Sequence, residues 1–326
     1  MSDNIILCCE TCLYNHSEMK CIIYGQYNIH IKKTLYKIPK DKENLREDNI
    51  KKLDLICSKN RKDFYIILNE SLTLLKDKKC IFFFNDIILE FQLKFPFENS
   101  IDLNINNSAI ISTMIQNYSN RIDEWIIYNL KLGFSGIVLF DNGSNKNDLL
   151  ETINIVNKYR DKVILINFPH KPFRNKHWNN IQRLSLSIGV NAFKKKCKFI
   201  ATIDADEFIY IPHNVRKLKI EDFLEKYNKT ISIPSNILTN RYNNELFNNN
   251  ILSKAIYIGE DKYTKIIIHT NDIKNEKFII TPHEHKKQKI LKKNTLIHYH
   301  VWLNERYKYR PNMKKTYRLI NYIEMN

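Results

Sequence analysis

The sequence predicts an α/β fold, a Rossmann-like and mostly parallel sheet, preceded by a small mixed or β-rich N-terminal region. Three observations carry this expectation. From Ser108 onward, short apolar runs alternate with stretches whose apolar residues recur at helical spacing, the signature of strand and helix in succession. Two of those apolar runs stop at an aspartate, Asp141 and Asp204, where the carboxyl end of a strand is expected. Before that point the runs Ile5 to Leu7, Cys21 to Tyr24, Phe64 to Leu68, Cys80 to Phe84 and Ile87 to Leu93 are separated by polar breaks without a helical repeat. The expected division is an accessory region over 1–105, the α/β domain over 106–305, and a basic tail or helix over 306–326.

Each element has a local reason. Ala109 to Ile115 reads as a buried strand. It leads through Ser119-Asn120-Arg121 into a helix with Ile122, Trp125, Ile126 and Leu130 on one face, Asp123 and Glu124 in its first turn, and Gly133 as its stop. The run Ile137 to Phe140 ends in Asp141-Asn142-Gly143-Ser144. Asn147 then caps a helix whose Leu149, Leu150, Ile153, Val156 and Tyr159 share a face. A strand over Val163 to Phe168 and a helix from about Trp178 to Lys195 follow, and the run Phe199 to Ile203 leads into Asp204-Ala205-Asp206-Glu207-Phe208. Further on, a helix over Ile220 to Tyr227 precedes strands near Thr230 to Pro234, Thr264 to His269, Phe278 to Thr281 and Leu296 to Trp302. The charged stretch Lys32 to Asp63 has no sustained apolar face.

The chain has 326 residues with 43% hydrophobic and 12% aromatic side chains and only 6 Gly and 8 Pro, which excludes a disordered or fibrous protein. Its net charge of +17, from 52 Lys+Arg against 35 Asp+Glu, raises nucleic acid, an anionic membrane or a phosphorylated ligand. The excess of Lys over Arg, with abundant Asn and Ile, also follows from AT-rich coding. No apolar run reaches the roughly 18 to 20 residues of a membrane-spanning helix. The first residues do not read as a signal peptide, so a cytoplasmic location is expected, a host cytosol for a viral chain. Seven cysteines, mostly isolated, point to reduced thiols. Cys9-x-x-Cys12, with Cys8, Cys21, His16 and His30 nearby, has zinc-like spacing but lacks a second paired half-site.

The acids carry the chemistry. In open α/β sheets a ligand binds beyond the carboxyl ends of the strands near a switch in strand order, so Asp141 and Asp204 face one crevice with Asp206 beside them. Two acids two residues apart on a tight turn suit one hard cation whose shell is completed by phosphate oxygens. Asp141 equally reads as the turn former of Asp-Asn-Gly-Ser. The ordered set Asn117, Asp123-Glu124-Trp125, Leu132-Gly133-Phe134, Phe140-Asp141-Asn142-Gly143-Ser144, Gln182, Asp204-Ala205-Asp206-Glu207-Phe208 and His298-Tyr299-His300 resembles glycosyltransferase family 92 and its family 2-like relatives, over about residues 108–305. The resemblance implies a GT-A fold, a nucleoside-diphosphate sugar as donor and inversion at the anomeric carbon. It implies a donor site of Asn117, Arg121, Asp141, Asn142, Ser144, Gln182 and Asp204, with Asp141 at the base or ribose and Mn²⁺ (or Mg²⁺) held on the diphosphate by Asp204 and Asp206. Ile115-Gln116-Asn117 replaces the family's more usual basic-Asn-Glu run, and an acid usually closer to the Asn-x-Ser segment is displaced to Asp148.

An inverting transfer needs a base for the acceptor hydroxyl. Glu284, between His283 and His285, is the first candidate and Asp272 the second. His298 and His300 offer a third metal ligand or a phosphate contact. The expected partners are a nucleotide-sugar donor and a glycan or other hydroxyl acceptor, with no nucleic acid. A nucleic-acid binder and a metal-dependent nucleotidyltransferase are the alternatives, the first without a helix-turn-helix or paired zinc pattern, the second without a Gly-rich phosphate loop. More than half the net charge lies late: Lys286 to Arg318 has 11 basic residues against Glu305 alone, or +10, whereas Ala109 to Pro212 has 14 basic and 9 acidic, or +5.

Overall fold

The computed structural model describes the strand residues within 5–92 and 314–315 and the stretches 108–169, 179–212, 219–239, 257–273, 281–283, 288–292 and 295–301. The chain forms two compact units, one of residues 1–102, 166–193 and 275–280, the other of residues 103–165, 194–274 and 281–326.

The first unit is β-rich. Its strands are β1 (Ile5–Ile6), β2 (Leu13–Asn15), β3 (Lys20–Tyr27), β4 (Tyr36–Ile38), β5 (Lys51–Leu53), β6 (Leu55–Cys57), β7 (Asp63–Leu68), β8 (Lys79–Phe84) and β9 (Ile87–Gln92). β1, β3, β7 and β6 lie side by side with β2 also on β3, and β4 pairs with β5 and β8 with β9. All of these pairings are antiparallel. The strands β4, β5 and β6 fall in the stretch whose mixed charge hides any apolar face. The spaced cysteines Cys8, Cys9 and Cys12 lie outside the described residues, as does most of the basic segment after Lys292.

The second unit is built on one large mixed sheet. Its parallel part comes from β10 (Ala109–Ile115), β11 (Gly136–Asp141) and β13 (Phe199–Ala201), with β12 (Val163–Asn167), whose last two residues fall in the first unit, next to β11. β10 and β11 are buried at every position, as strands covered on both faces must be. β10 pairs in parallel with β11 on one side, Ile115 opposite Asp141, and with β13 on the other, Ile111 opposite Ala201. The order β12-β11-β10-β13 therefore reverses direction at β10, the switch point where α/β sheets receive ligands. The rest of the sheet is β14 (Glu207–Tyr210), β15 (Ile231–Thr239), β16 (Tyr257–His269), β17 (Lys289–Ile290), β18 (Ile297–Val301) and β19 (Lys314–Lys315), in the order β13-β16-β15-β18-β14, with β17 on β15 and β19 on β16. β16 runs antiparallel to β13 and β15, and β18 runs parallel to β15 and antiparallel to β14.

Helices fix the strand ends. Helix α1 (Ser119–Leu132) buries Ile122, Trp125, Ile126, Tyr128 and Leu132. It stops at Gly133, whose φ of 102° lies in the left-handed region and where a Cβ would meet the Lys219 side chain at 2.7 Å. Trp125 donates its indole N–H to the Glu207 carbonyl at 2.8 Å and Tyr128 its hydroxyl to the Ile209 carbonyl at 2.7 Å, so α1 anchors β14. Helix α2 (Lys146–Asn157) is capped by Asn145, not Asn147, because the Asn145 side chain accepts the Asp148 N–H. Leu150, expected on its inner face, is 51% exposed. Helix α3 (Asn179–Phe193) belongs to the first unit, where it runs beside β2, β3 and β7. Helix α4 (Ile220–Leu224) ties the opposite edge of the sheet, Glu221 accepting from the Ala109 N–H at 2.9 Å and from the Ser135 hydroxyl. Among the described residues no helix is long and apolar enough to cross a membrane.

Candidate functional site

At the carboxyl edge of the parallel strands, the β10–α1 and β11–α2 loops are knitted together by side chains. Asp141 is wholly buried, and its two oxygens accept from the Ser144 N–H at 3.1 Å and the Ser144 hydroxyl. Ser144 Oγ in turn accepts the Asn117 N–H at 2.7 Å, and Asn117 Oδ1 accepts the Asn145 N–H at 2.8 Å. Asn117 has a φ of 50°, which an Asn tolerates better than most residues because its short polar side chain bonds locally. Asn142 is buried and closes the turn through its N–H to the Ile115 carbonyl at 2.8 Å. Both Asp141 oxygens thus accept bonds from the turn, as a turn former's do. Asp148 from α2 accepts the Tyr118 and Ser119 N–H groups at 3.0 and 3.1 Å and faces the Ser119 hydroxyl at 2.7 Å, with Glu151 at 2.8 Å from the same hydroxyl. Helix α1, whose own first residues supply no side-chain cap, is thus capped from its neighbour.

Beyond β13 the chain makes a tight turn, the Glu207 N–H donating to the Asp204 carbonyl at 3.0 Å and the Asp204 N–H to Glu207 Oε2 at 2.7 Å. The turn places Asp204 and Asp206 at the surface, about a third exposed, and sends Glu207 inward as the first residue of β14, at 2% exposure. Two neighbouring strands complete the cluster. In β18, His300 stands opposite Glu207, its Nε2 3.3 Å from Asp206 Oδ2. Lys265 of β16 is brought alongside by the Thr202 N–H, which donates to the Ile266 carbonyl at 3.2 Å. Its ammonium lies 2.7 Å from Asp204 Oδ2 and 3.1 Å from Glu207 Oε2.

These contacts set the charges. Burial alone would lower the Lys265 pKa, but the two carboxylates outweigh it and hold the ammonium firmly protonated. Burial would raise Glu207, yet Lys265 and His298 hold its carboxyl well below the usual carboxylate range. Asp204 is pushed up to about 6 by burial and by the charges of Glu207 and Asp206, against the pull of Lys265. His300, which burial would lower, is raised to about 9 by its contact with Asp206 and the charges of Asp206, Glu207 and Asp204. Tyr118 is raised by burial and then by Asp206, which places the β10–α1 loop within electrostatic reach of the turn.

Asp206, Glu207 and His300 each offer a ligand atom within 4.8 Å of the others. Hard oxygen donors with one imidazole suit Mn²⁺, or Mg²⁺ with more of its water retained. Of the expected set Asp204, Asp206, His298 and His300, this cluster includes Asp206 and His300. The inward oxygen of Asp204 is held by Lys265. His298, 1% exposed, is spent on structure: Nδ1 pairs with the Ser235 hydroxyl and Nε2 approaches Glu207 Oε2 at 3.1 Å, off the line of a hydrogen bond. Glu207 and Lys265, which carry no assigned role in the sequence reading, are the additions. A lysine within the alternating strand Tyr257–His269 reads as an outward charge until the register is known.

The remaining expectations divide. Arg121 lies in the first turn of α1 with its guanidinium 5.7 Å from the Tyr118 ring centroid. Asn117 is exposed on the same loop. Gln182 is a buried residue of α3, in the other unit. Asp272 is corrected: it follows the end of β16, where His269 stands opposite Phe199 at the start of β13, and its Oδ2 accepts the Thr230 N–H at 2.7 Å. It therefore stabilises the edge of the sheet opposite Asp204. Glu284 lies outside the described residues. Its neighbour His283 sits against β16, Nδ1 2.6 Å from the Thr264 carbonyl, one residue from Lys265.

No protein-family model matches the chain. Over 121 residues, 37% of the chain, it is 26% identical to a glycosyltransferase family 92 protein of Oryza sativa subsp. japonica, and over 102 residues, 31% of the chain, 26% identical to one of Ricinus communis. The chain is similar to glycosyltransferase family 92. The matches span 19% and 16% of the two family 92 proteins, so the chain covers less than a fifth of either curated relative. Among solved structures, a mannosyltransferase from Pyrobaculum calidifontis in complex with GDP-Man and Mn²⁺ is similar over 64% of this chain and 62% of its own, at 11% identity and a TM-score of 0.33. Glucosyl-3-phosphoglycerate synthase from Mycobacterium tuberculosis, in complex with Mn²⁺, UDP and glucosyl-3-phosphoglycerate, is similar over 51% of this chain and 58% of its own, at 13% identity and a TM-score of 0.24.

Proposed function

We propose that the second unit is a metal-dependent, inverting glycosyltransferase domain of GT-A type, moving a sugar from a nucleoside-diphosphate sugar to a hydroxyl of a glycan or other acceptor. The observation that carries this reading is the convergence of Asp206, Glu207 and His300 beyond the carboxyl end of β13, beside the switch in strand order, in a chain similar to family 92. Asp206 and His300, with Glu207 behind them, would hold Mn²⁺ or Mg²⁺. When bound, the ion neutralises charge gathering on the departing diphosphate.

The chain's own residues do the rest. Lys265 and the Asp204 N–H fix the Glu207 carboxylate, and the Trp125 indole holds its carbonyl, so Glu207 is oriented before anything binds. Asn117 of the β10–α1 loop and Arg121 in the first turn of α1 are the proposed nucleotide contacts. In the transfer the acceptor oxygen forms a bond to the anomeric carbon as the bond to the diphosphate breaks, and the hydroxyl proton passes to a base. Glu284 is proposed for that base from its place in the sequence between two histidines.

The test is a panel of UDP- and GDP-sugars with Mn²⁺, read by release of free nucleoside diphosphate. Release that is lost in Asp206→Asn supports sugar transfer. Release of pyrophosphate from nucleoside triphosphates would instead favour the nucleotidyltransferase reading, and turnover undiminished in Asp206→Asn would overturn the metal role.

A further inference from the structure

We infer that Lys265 is a positioning residue that presets the charge of the carboxylate turn to match a single divalent cation. The inference rests on the metal reading above and deepens it. Asp204, Asp206 and Glu207 put three carboxylates on four consecutive residues, and Lys265 is the ammonium within 4.0 Å of two of them. Its side chain is 3% exposed, so it cannot reach out to a diphosphate, and it serves only the carboxylates. A buried ammonium is a poor way to add stability, because a well-packed apolar side chain does as well or better. Its position explains more than its presence. It takes the inner oxygens, Asp204 Oδ2 and Glu207 Oε2, and leaves Asp206 and His300 on the outer side. With His300 giving up its proton to ligate the ion, three negative charges and one positive leave two, which one divalent ion balances. With Lys265 removed the turn would carry three, bind the ion more tightly, and leave a residual negative charge facing the diphosphate.

The experiment titrates the full chain with Mn²⁺ by electron paramagnetic resonance, alone and with UDP present. Removing one unit charge a few ångströms away makes Lys265→Met bind Mn²⁺ about tenfold more tightly or better, and bind UDP on the loaded site correspondingly less well. Lys265→Arg, which keeps the charge, stays within about threefold of the parent on both readouts. A merely structural lysine would weaken Mn²⁺ in both variants. Because Lys265→Met leaves Glu207 buried without its partner, the comparison is repeated with Lys265→Gln, whose neutral amide can still donate to that carboxylate. This change again tightens Mn²⁺ about tenfold. Equal Mn²⁺ affinity in the parent and in Lys265→Gln overturns the inference while leaving the metal reading intact. Failure of the parent protein to bind Mn²⁺ at all overturns both.

Discussion

The two halves of the large sheet do different work. In the parallel half, β10 and β11 are buried along their whole length and consist of apolar and small residues, apart from Asp141 at the end. In the antiparallel half, β14, β16 and β18 bury Glu207, Lys265 and His298 at 3% exposure or less. One half is a scaffold that sets where strands end. The other carries a carboxylate and an ammonium inward, and the two offset each other's burial. Stability and ligand chemistry should therefore separate by half.

Four measurements would break or sharpen that contrast. Lys265→Ala strands the Glu207 carboxylate and should cost about 3–5 kcal/mol in urea unfolding; a loss below 1 kcal/mol would mean that the ion pair is not formed. Asp206→Asn changes a side chain that is about a third exposed, so the unfolding midpoint should barely move, while nucleoside diphosphate release falls about a hundredfold or more. Trp125→Phe removes the indole N–H from the Glu207 carbonyl and should cost about 1–3 kcal/mol by the same denaturant assay. Ile111→Val, in the middle of β10, should cost about 0.5–1.5 kcal/mol with Mn²⁺ affinity unchanged. A shift in metal affinity there would blur the boundary between the halves.

The parallel half was also the legible one. Its strands are unbroken apolar runs, Gly133 marks the helix stop by a conformation few other residues take, and Asp204 and Asp206 stand out because acids between two core segments are unusual. The errors there were local. Asn145 and Asn147 can both cap a helix, and only the hydrogen bond from the Asp148 N–H chooses Asn145. Asp141 bonds its turn through both oxygens, a local geometry that residue spacing does not show. The antiparallel half resisted because its meaning lies in register. Lys265 becomes a partner of Glu207 only when β16 is laid against β13, and Asp272 turns out to close the far edge only once His269 is seen opposite Phe199. β15 runs on to Thr239, past the irregularity between Pro234 and Asn236, where a proline and polar neighbours end the apolar pattern.

The capping of α1 by Asp148 has a consequence for where phosphate can go. In dinucleotide-binding sheets the first strand feeds a helix whose exposed N–H groups receive a pyrophosphate. Here the equivalent amides of Tyr118 and Ser119 already hold a carboxylate of the chain, with Glu151 beside it. That cradle comes with its own resident anion. A diphosphate arriving at this crevice meets negative charge at the helix end as well as at the Asp204–Glu207 turn, so a nucleotide should bind weakly in the presence of a chelator and tightly only in company with a divalent ion.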